Sequence, residues 1–247
     1  MARMLLLVAG TAASGKSSSL RNLKNPEKVL YLGTEANKPL PFKDGFKKLQ
    51  GGLNNPNDVF QLFDMFEKDP NLDTIVIDSI TFLMDMFESM NVLTSANTMA
   101  GWSNYQQYFK KIMQEYVSKS QKNWIFLAHN FEELKPNGEM KYYVPVKGAL
   151  AKNGLEAYFS LVVYARRVPI KELTKLEYDP EILHITSRDE AVGYKHVFQL
   201  DVTKDLADSR IRSPLGCFNP NQIFMDNDVQ LLLDHLENFY YPENEKE

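Results

Sequence analysis

The stretch GTAASGKS at residues 10–17 constrains this chain more than any other part of it. Gly10, Gly15, Lys16 and Ser17 fit G-x-x-x-x-G-K-[ST] without a gap. The stretch follows an apolar run, MLLLVAG at 4–10, that reads as a buried strand. It leads into residues 17–24, which read as a helix stopped by Asn-Pro-Glu at 25–27. Glycines let the backbone curl so that successive N–H groups converge on an anion. A helix N-terminus adds partial positive charge. Lys16 is then placed to neutralise the β and γ oxygens of a nucleoside triphosphate, and the Ser17 hydroxyl to ligate Mg²⁺. The candidate ATP-binding residues are Gly10, Thr11, Ala12, Ala13, Ser14, Gly15, Lys16, Ser17 and Ser18. The plain alternative is a tight strand–helix turn with a surface lysine.

Further along, KVLYLGTE (28–35), DTIVIDS (73–79), NWIFLAHN (123–130) and FSLVVYARR (159–167) read as strands. Between them lie a helix with Val59, Phe60, Leu62, Phe63 and Phe66 inward, capped by Asn57 or Asp58, and one carrying Phe82, Leu83, Met86 and Phe87. A third spans 104–121 after a loop at 94–103, and a short one spans 149–158. Residues 182–212 read as antiparallel strands and 228–239 as a closing helix. Alternating strands and helices predict an α/β fold with a mainly parallel sheet and antiparallel strands near the C-terminus. At 247 residues the expected division is a core over 1–220 and a C-terminal helix with an acidic tail over 221–247.

Composition narrows the setting. The single cysteine, Cys217, excludes an intramolecular disulfide framework and a Cys-rich zinc site. No apolar run approaches the ~20 residues that span a bilayer, and the N-terminal run is too short for a signal peptide. A cytoplasmic location without membrane association is the expectation. The net charge of -4 is uneven, because residues 221–247 carry seven acids against Lys246 and leave the first 220 residues at +2. That tail is either a solvated end or a competitor with nucleic acid for a basic groove.

Two acids complete the chemistry. Asp78 is carried to the end of the strand TIVI, where it can hold the metal; it can also cap the following helix. Hydrolysis further needs a group that orients or deprotonates water. Ser79, not an acid, follows Asp78, so Glu35 at the end of YLGTE is the candidate base, on the sheet edge where parallel strands deliver their C-terminal ends. The other reading of Glu35 is an exposed loop acid.

This placement resembles the RecA-type recombinase core, through GTAASGKSS, a second strand ending in Glu35, TIVIDS, FLAHN and the late TKDLADSRIRSP. The resemblance covers residues 4 to about 212. It implies a RecA-like nucleotide hydrolase in which Lys16, Glu35 and His129 act on ATP and Ser17 and Asp78 hold Mg²⁺. His129 stands where the family places a glutamine that senses the γ-phosphate, and the sequence opens directly at the first core strand. In both respects the chain is similar to small bacteriophage members that bind or anneal single-stranded DNA. The resemblance thus implies single-stranded DNA, a homo-oligomer and a single-strand binding or other replication or recombination protein as partners, in the host cytoplasm. His129 as a core histidine stays open as an alternative.

Residues 131–148 interleave Phe131, Tyr142 and Tyr143 with Lys135, Lys141 and Lys147, the combination that sequence-tolerant single-strand binding uses. The alternative there is a β-hairpin with half-buried tyrosines. Lys204, Arg210 and Arg212 are candidates for a basic finger acting on a neighbouring subunit's site. Rival functions are an ATP-gated oligomeric scaffold without DNA activity and a kinase of a small substrate.

Overall fold

Leu6 and Val8 face one side of a sheet, Leu7 and Ala9 the other, and all four are wholly buried. A strand apolar on both faces must lie in the middle of a covered sheet. The structure, a computed structural model, describes residues 3–35 and 38–242. Of the tail, Glu243, Glu245 and Glu247 lie outside the described residues.

The elements run β1 (Leu5–Gly10), β2 (Val29–Gly33), β3 (Lys47–Lys48), α1 (Val59–Lys68), β4 (Thr74–Asp78), α2 (Ile80–Phe87), α3 (Thr98–Lys111) and β5 (Asn123–His129). They continue with β6 (Phe131–Leu134), β7 (Met140–Tyr143), α4 (Leu150–Asn153), β8 (Leu161–Pro169), α5 (Ile170–Leu173), α6 (Ser187–Val192), β9 (Tyr194–Gln199), β10 (Phe224–Asp226) and α7 (Val229–Tyr240). The main sheet has the order β10-β9-β8-β1-β5-β4-β2-β3. Pairing is parallel from β3 to β8 and antiparallel from β8 through β9 to β10, as the sequence predicts. A separate hairpin pairs β6 with β7. Among the described residues no helix is long and apolar enough to cross a membrane.

Register places the chemistry. Gly10 lies opposite His129 and Gly33 opposite Asp78, so the phosphate loop, Glu35, Asp78 and His129 all leave the sheet at one edge. One face is covered by α1, α2 and α3, whose Phe63 and Phe66 meet Trp124 edge-on at ring distances of 5.0 and 5.8 Å. The other face carries Leu20, Val229, Leu232 and Leu236 over Leu6, Val8 and Ile125.

Local structure departs from the sequence reading in four places. Residues 17–24 do not form a regular helix: a 3₁₀ turn spans Ser17–Leu20, with the Ser19 hydroxyl donating to the Lys16 carbonyl at 2.6 Å. Ser19 competes with the helical backbone in this way, while the Ser17 hydroxyl is turned to Asp78. Beyond the turn, residues 21–24 are tied to α7. Arg21 Nη1 donates to the Asn227 carbonyl (2.8 Å), Asn22 Nδ2 to Asp228, the Lys24 amide to Gln230 Oε1 (2.9 Å) and Lys24 Nζ to Asp234 Oδ1 (2.8 Å). Asp58 holds the N-cap position of α1 but makes no side-chain cap; Asn55 instead caps the 3₁₀ turn Pro56–Asp58 that leads into it, accepting from the Asn57 amide. The third helix begins at Thr98, inside the expected loop, because the Asn97 side chain accepts from the Ala100 amide. Within 182–212, α6 replaces an expected strand, started by a reciprocal cap between Thr186 and Asp189.

Phe63 is wholly buried between Tyr116 and Trp124. Phe63→Ala is expected to lower unfolding stability by about 3–5 kcal/mol, the range for emptying an aromatic core position. Urea denaturation measures it, and a change below about 1 kcal/mol would mean that this face collapses to fill the space.

Candidate functional site

Gly10 is pinned by close approach: a Cβ there would lie 2.4 Å from Ser14 Oγ and 2.5 Å from the Ala165 carbonyl oxygen. Gly15 adopts φ +98°, which side chains with a Cβ rarely enter. Ala13 is also left-handed, at φ 59°, a conformation that costs a non-glycine residue roughly 1–2 kcal/mol. The result is a curled loop, and Ala12 to Ser18 line a cleft of about 270 Å³. Lys16 folds back over it, its Nζ donating to the carbonyls of Gly10 and Thr11 at 2.8 Å each. Gly10 and Thr11 shape the cleft from behind.

Across the cleft stands Asp78, 4% exposed. Its Oδ2 accepts from the Ser17 hydroxyl and from the Tyr31 hydroxyl, both at 2.8 Å. Burial raises the Asp78 carboxyl above its ordinary range, while those two hydrogen bonds pull it down. Asp78 does not cap α2; that oxygen belongs to Ser79. Thr34 latches β2 to β4, accepting from the Ser79 amide at 2.8 Å and donating to the Ser79 carbonyl at 2.9 Å.

Glu35 and His129 meet in the same cleft as this carboxylate. They follow β2 and end β5, the strands on either side of β4. His129 Nε2 lies 2.9 Å from Glu35 Oε1. A carboxylate at that distance only accepts, so Nε2 carries the hydrogen. The His129 amide donates to Thr81 Oγ1 (3.1 Å), and Phe82 meets the imidazole edge-on at 5.3 Å. Lys38 approaches Glu35 from outside, at 3.9 Å.

The residues fit Mg²⁺ with a triphosphate. Mg²⁺ takes one or two protein oxygens and completes its shell with water and phosphate, and the Ser17 hydroxyl and Asp78 carboxylate are already side by side. Among the described residues no cluster of three or more His, Cys, Asp or Glu forms a dedicated cage.

Lys16, Ser17, Glu35, Asp78 and His129 therefore share one cleft. The other expected residues lie elsewhere. Tyr142 is buried, its ring 5.8 Å from that of Tyr164, because β7 alternates and turns it inward; it offers no surface to a base. Lys135 pairs with Asp208, and Lys147 with Glu88 at 2.7 Å. Lys141 sits 5.3 Å over the Tyr143 ring, and Phe131 is exposed. Arg210 is committed within its own chain to the buried Glu156 at 3.1 Å, and Arg212 donates to the Phe159 carbonyl at 3.3 Å. Lys204 is exposed. Sequence reasoning missed Tyr31 and Thr34. Both lie in YLGT immediately before Glu35, a position that could have marked them as partners for the end of the neighbouring strand.

A family profile described as "AAA domain" (AAA_24) matches residues 2–198. A search of curated proteins found no matching sequence. Among solved structures the chain is similar to the KaiC-like protein PH0186 from the hyperthermophilic archaeon Pyrococcus horikoshii OT3. That match has 11% identity and a TM-score of 0.45, and it covers 85% of this chain and 82% of that one.

Burial pulls the Lys16 ammonium down to about 8, against the opposing fields of Asp78 and Glu35. Only the charged form attracts phosphate, so above about pH 8 triphosphate binding must take up a proton. ATP affinity is expected to hold between pH 7 and 8 and then fall by up to about tenfold per pH unit. Titration calorimetry across that range checks it, and Lys16→Met should bind weakly without the slope. A flat wild-type profile through pH 9.5 would show the ammonium to be fully solvated.

Proposed function

Because the chain belongs to the AAA_24 family of AAA domains, and so to the P-loop ATPases, we propose that it hydrolyses ATP with Mg²⁺ in this cleft and couples turnover to single-stranded DNA. The observation that carries the reading is the 2.9 Å contact between His129 and Glu35, in the same cleft as the Ser17–Asp78 pair. Ser17 and Asp78 would hold Mg²⁺, which would supply charge neutralisation to the phosphate oxygens. Lys16 leaves its two carbonyl partners for those same oxygens. The His129 N–H, which here holds the Glu35 carboxylate, turns to the γ-phosphate. Glu35 is then free to accept a proton from water.

The β6–β7 hairpin begins at Phe131, two residues beyond His129. Exposed Phe131, with Tyr143 at 5.8 Å and Lys141 beside it, forms a short stacking face next to the sensor. DNA on that face bears on the same backbone that sets the imidazole. A role in bacteriophage recombination or annealing follows from the resemblance to the small recombinase-like members. Assembly into a homo-oligomer, with Lys204 or Arg212 reaching a neighbour's phosphates, belongs to the same reading. One observation favours the ATP-gated scaffold instead: Lys135, Tyr142 and Lys147 are already engaged within the chain.

Steady-state ATPase rates with and without single-stranded DNA, at two salt concentrations, test the proposal. Glu35→Gln should keep ATP binding and slow turnover by roughly 10²-fold or more. His129→Ala should lower turnover and abolish stimulation by DNA. Wild-type rates that ignore DNA, with no DNA affinity in the presence of ATP, favour the scaffold. Parallel loss of binding and turnover in Glu35→Gln would make Glu35 structural.

A further inference from the structure

A second, larger cleft of about 650 Å³ opens on the far side of the phosphate loop. It shares Gly15, Ser18 and Pro41 with the first, so the two are continuous along the loop. Its wall includes Arg21, Phe42, His196 and Asn227. Asn227 stands out. It is 5% exposed, and among the described residues neither its Oδ1 nor its Nδ2 has a hydrogen-bond partner. A buried primary amide with both ends unmet is rare in folded proteins and calls for an explanation. The amide lies against Gly15, where a Cβ would come within 3.0 Å of Nδ2 and 3.1 Å of His196 Cδ2. The backbone around it is fixed: Arg21 donates to the Asn227 carbonyl, and Asp228 caps α7.

We propose that Asn227 reads the base of the bound nucleotide, and that the base is adenine. The inference rests on the ATP reading above. With the phosphates in the first cleft, the nucleoside extends past Gly15 and Ser18 into the second. There Phe42 and the His196 imidazole offer flat walls. An asparagine amide presents one donor and one acceptor side by side, which matches the N6 amino group and the adjoining ring nitrogen of adenine. Guanine's Watson–Crick edge presents the N1–H and N2–H₂ donors, which a free carboxylate suits. The carboxylates of this cleft are already taken. Asp226 is bound to His184 at 2.7 Å and Lys195 at 3.0 Å, and Asp189 to Thr186 at 2.7 Å. The amide is reached by moving His196, whose hold on the Ala13 carbonyl is long, at 3.3 Å. Burial keeps that imidazole below its ordinary pKa and hence uncharged, which suits a stacking wall.

Equilibrium binding of ATP, GTP and inorganic tripolyphosphate to the full chain with Mg²⁺ tests this. The wild type should bind ATP about 10- to 100-fold more tightly than GTP, the discrimination of one bidentate base contact. Asn227→Ala should lose that preference while tripolyphosphate affinity stays unchanged. The isosteric Asn227→Asp should lose it too, because a carboxylate cannot donate to the adenine ring nitrogen. Equal ATP and tripolyphosphate affinities in the wild type would overturn the proposal and leave the phosphate site standing. A matched loss of tripolyphosphate binding in both variants would also overturn it, making Asn227 a prop for the loop. Failure of the wild type to bind either ATP or tripolyphosphate would sink the ATP reading itself.

Discussion

A carboxylate taken out of water must be met by donors, or it protonates. Asp78 sits at the end of a strand buried along its whole length, and one of its oxygens is met by two hydroxyls. One hydroxyl belongs to the phosphate loop and the other to β2. That single oxygen therefore fixes how the loop, β2 and β4 stand relative to one another. The Thr34–Ser79 latch locks the same pair of strands one residue further on. Glu35 and His129 inherit their meeting from this arrangement, since each leaves a strand that flanks Asp78. The buried acid organises the cleft before any metal arrives. Breaking its contacts would alter the spacing of every group around it.

The sheet and the phosphate loop were legible because they rest on strong local signals. Short continuous apolar runs bounded by turn residues fit strands covered on both faces, and a GKS after such a run has few other uses. Glu35, Asp78 and His129 were legible for the same reason: each ends a readable strand, and parallel strands end together. Helix starts were harder. Asn97 and the Thr186–Asp189 pair act through one or two side-chain hydrogen bonds, and in sequence they look like ordinary loop residues. The 3₁₀ turn after Lys16 was hidden because a side-chain hydrogen bond, that of the Ser19 hydroxyl, accompanies it rather than any apolar periodicity. Tyr142 shows the limit of reading aromatics and lysines as a set. Alternation along β7 sends Tyr142 inward while Lys141 and Tyr143 face out, and a one-residue difference in register would have reversed that.

Within the AAA-domain family, this chain ties its candidate base to a histidine. A histidine at this position is both a hydrogen-bond donor and an aromatic ring, and Phe82 already packs edge-on with it. Its backbone is held by Thr81 on the neighbouring helix and runs directly into the hairpin. The cleft and the hairpin are thus adjacent in the chain. A single residue, Asn130, separates the imidazole-bearing position from the hairpin.

The polar clasp between residues 21–24 and α7 bears on how the protein is made. The loop segment and its partners are 206 residues apart in sequence. At roughly 5–20 residues per second of synthesis, the loop leaves the ribosome about ten to forty seconds before α7 does. Over that interval Arg21, Asn22 and Lys24 have no helix to hold, and Leu20 and Leu23 lack the apolar face that covers them. The nascent chain displays the signature of a nucleotide-binding protein well before it can hold the loop in its final shape. The contacts that brace the segment just beyond the loop therefore form only after α7 has been made.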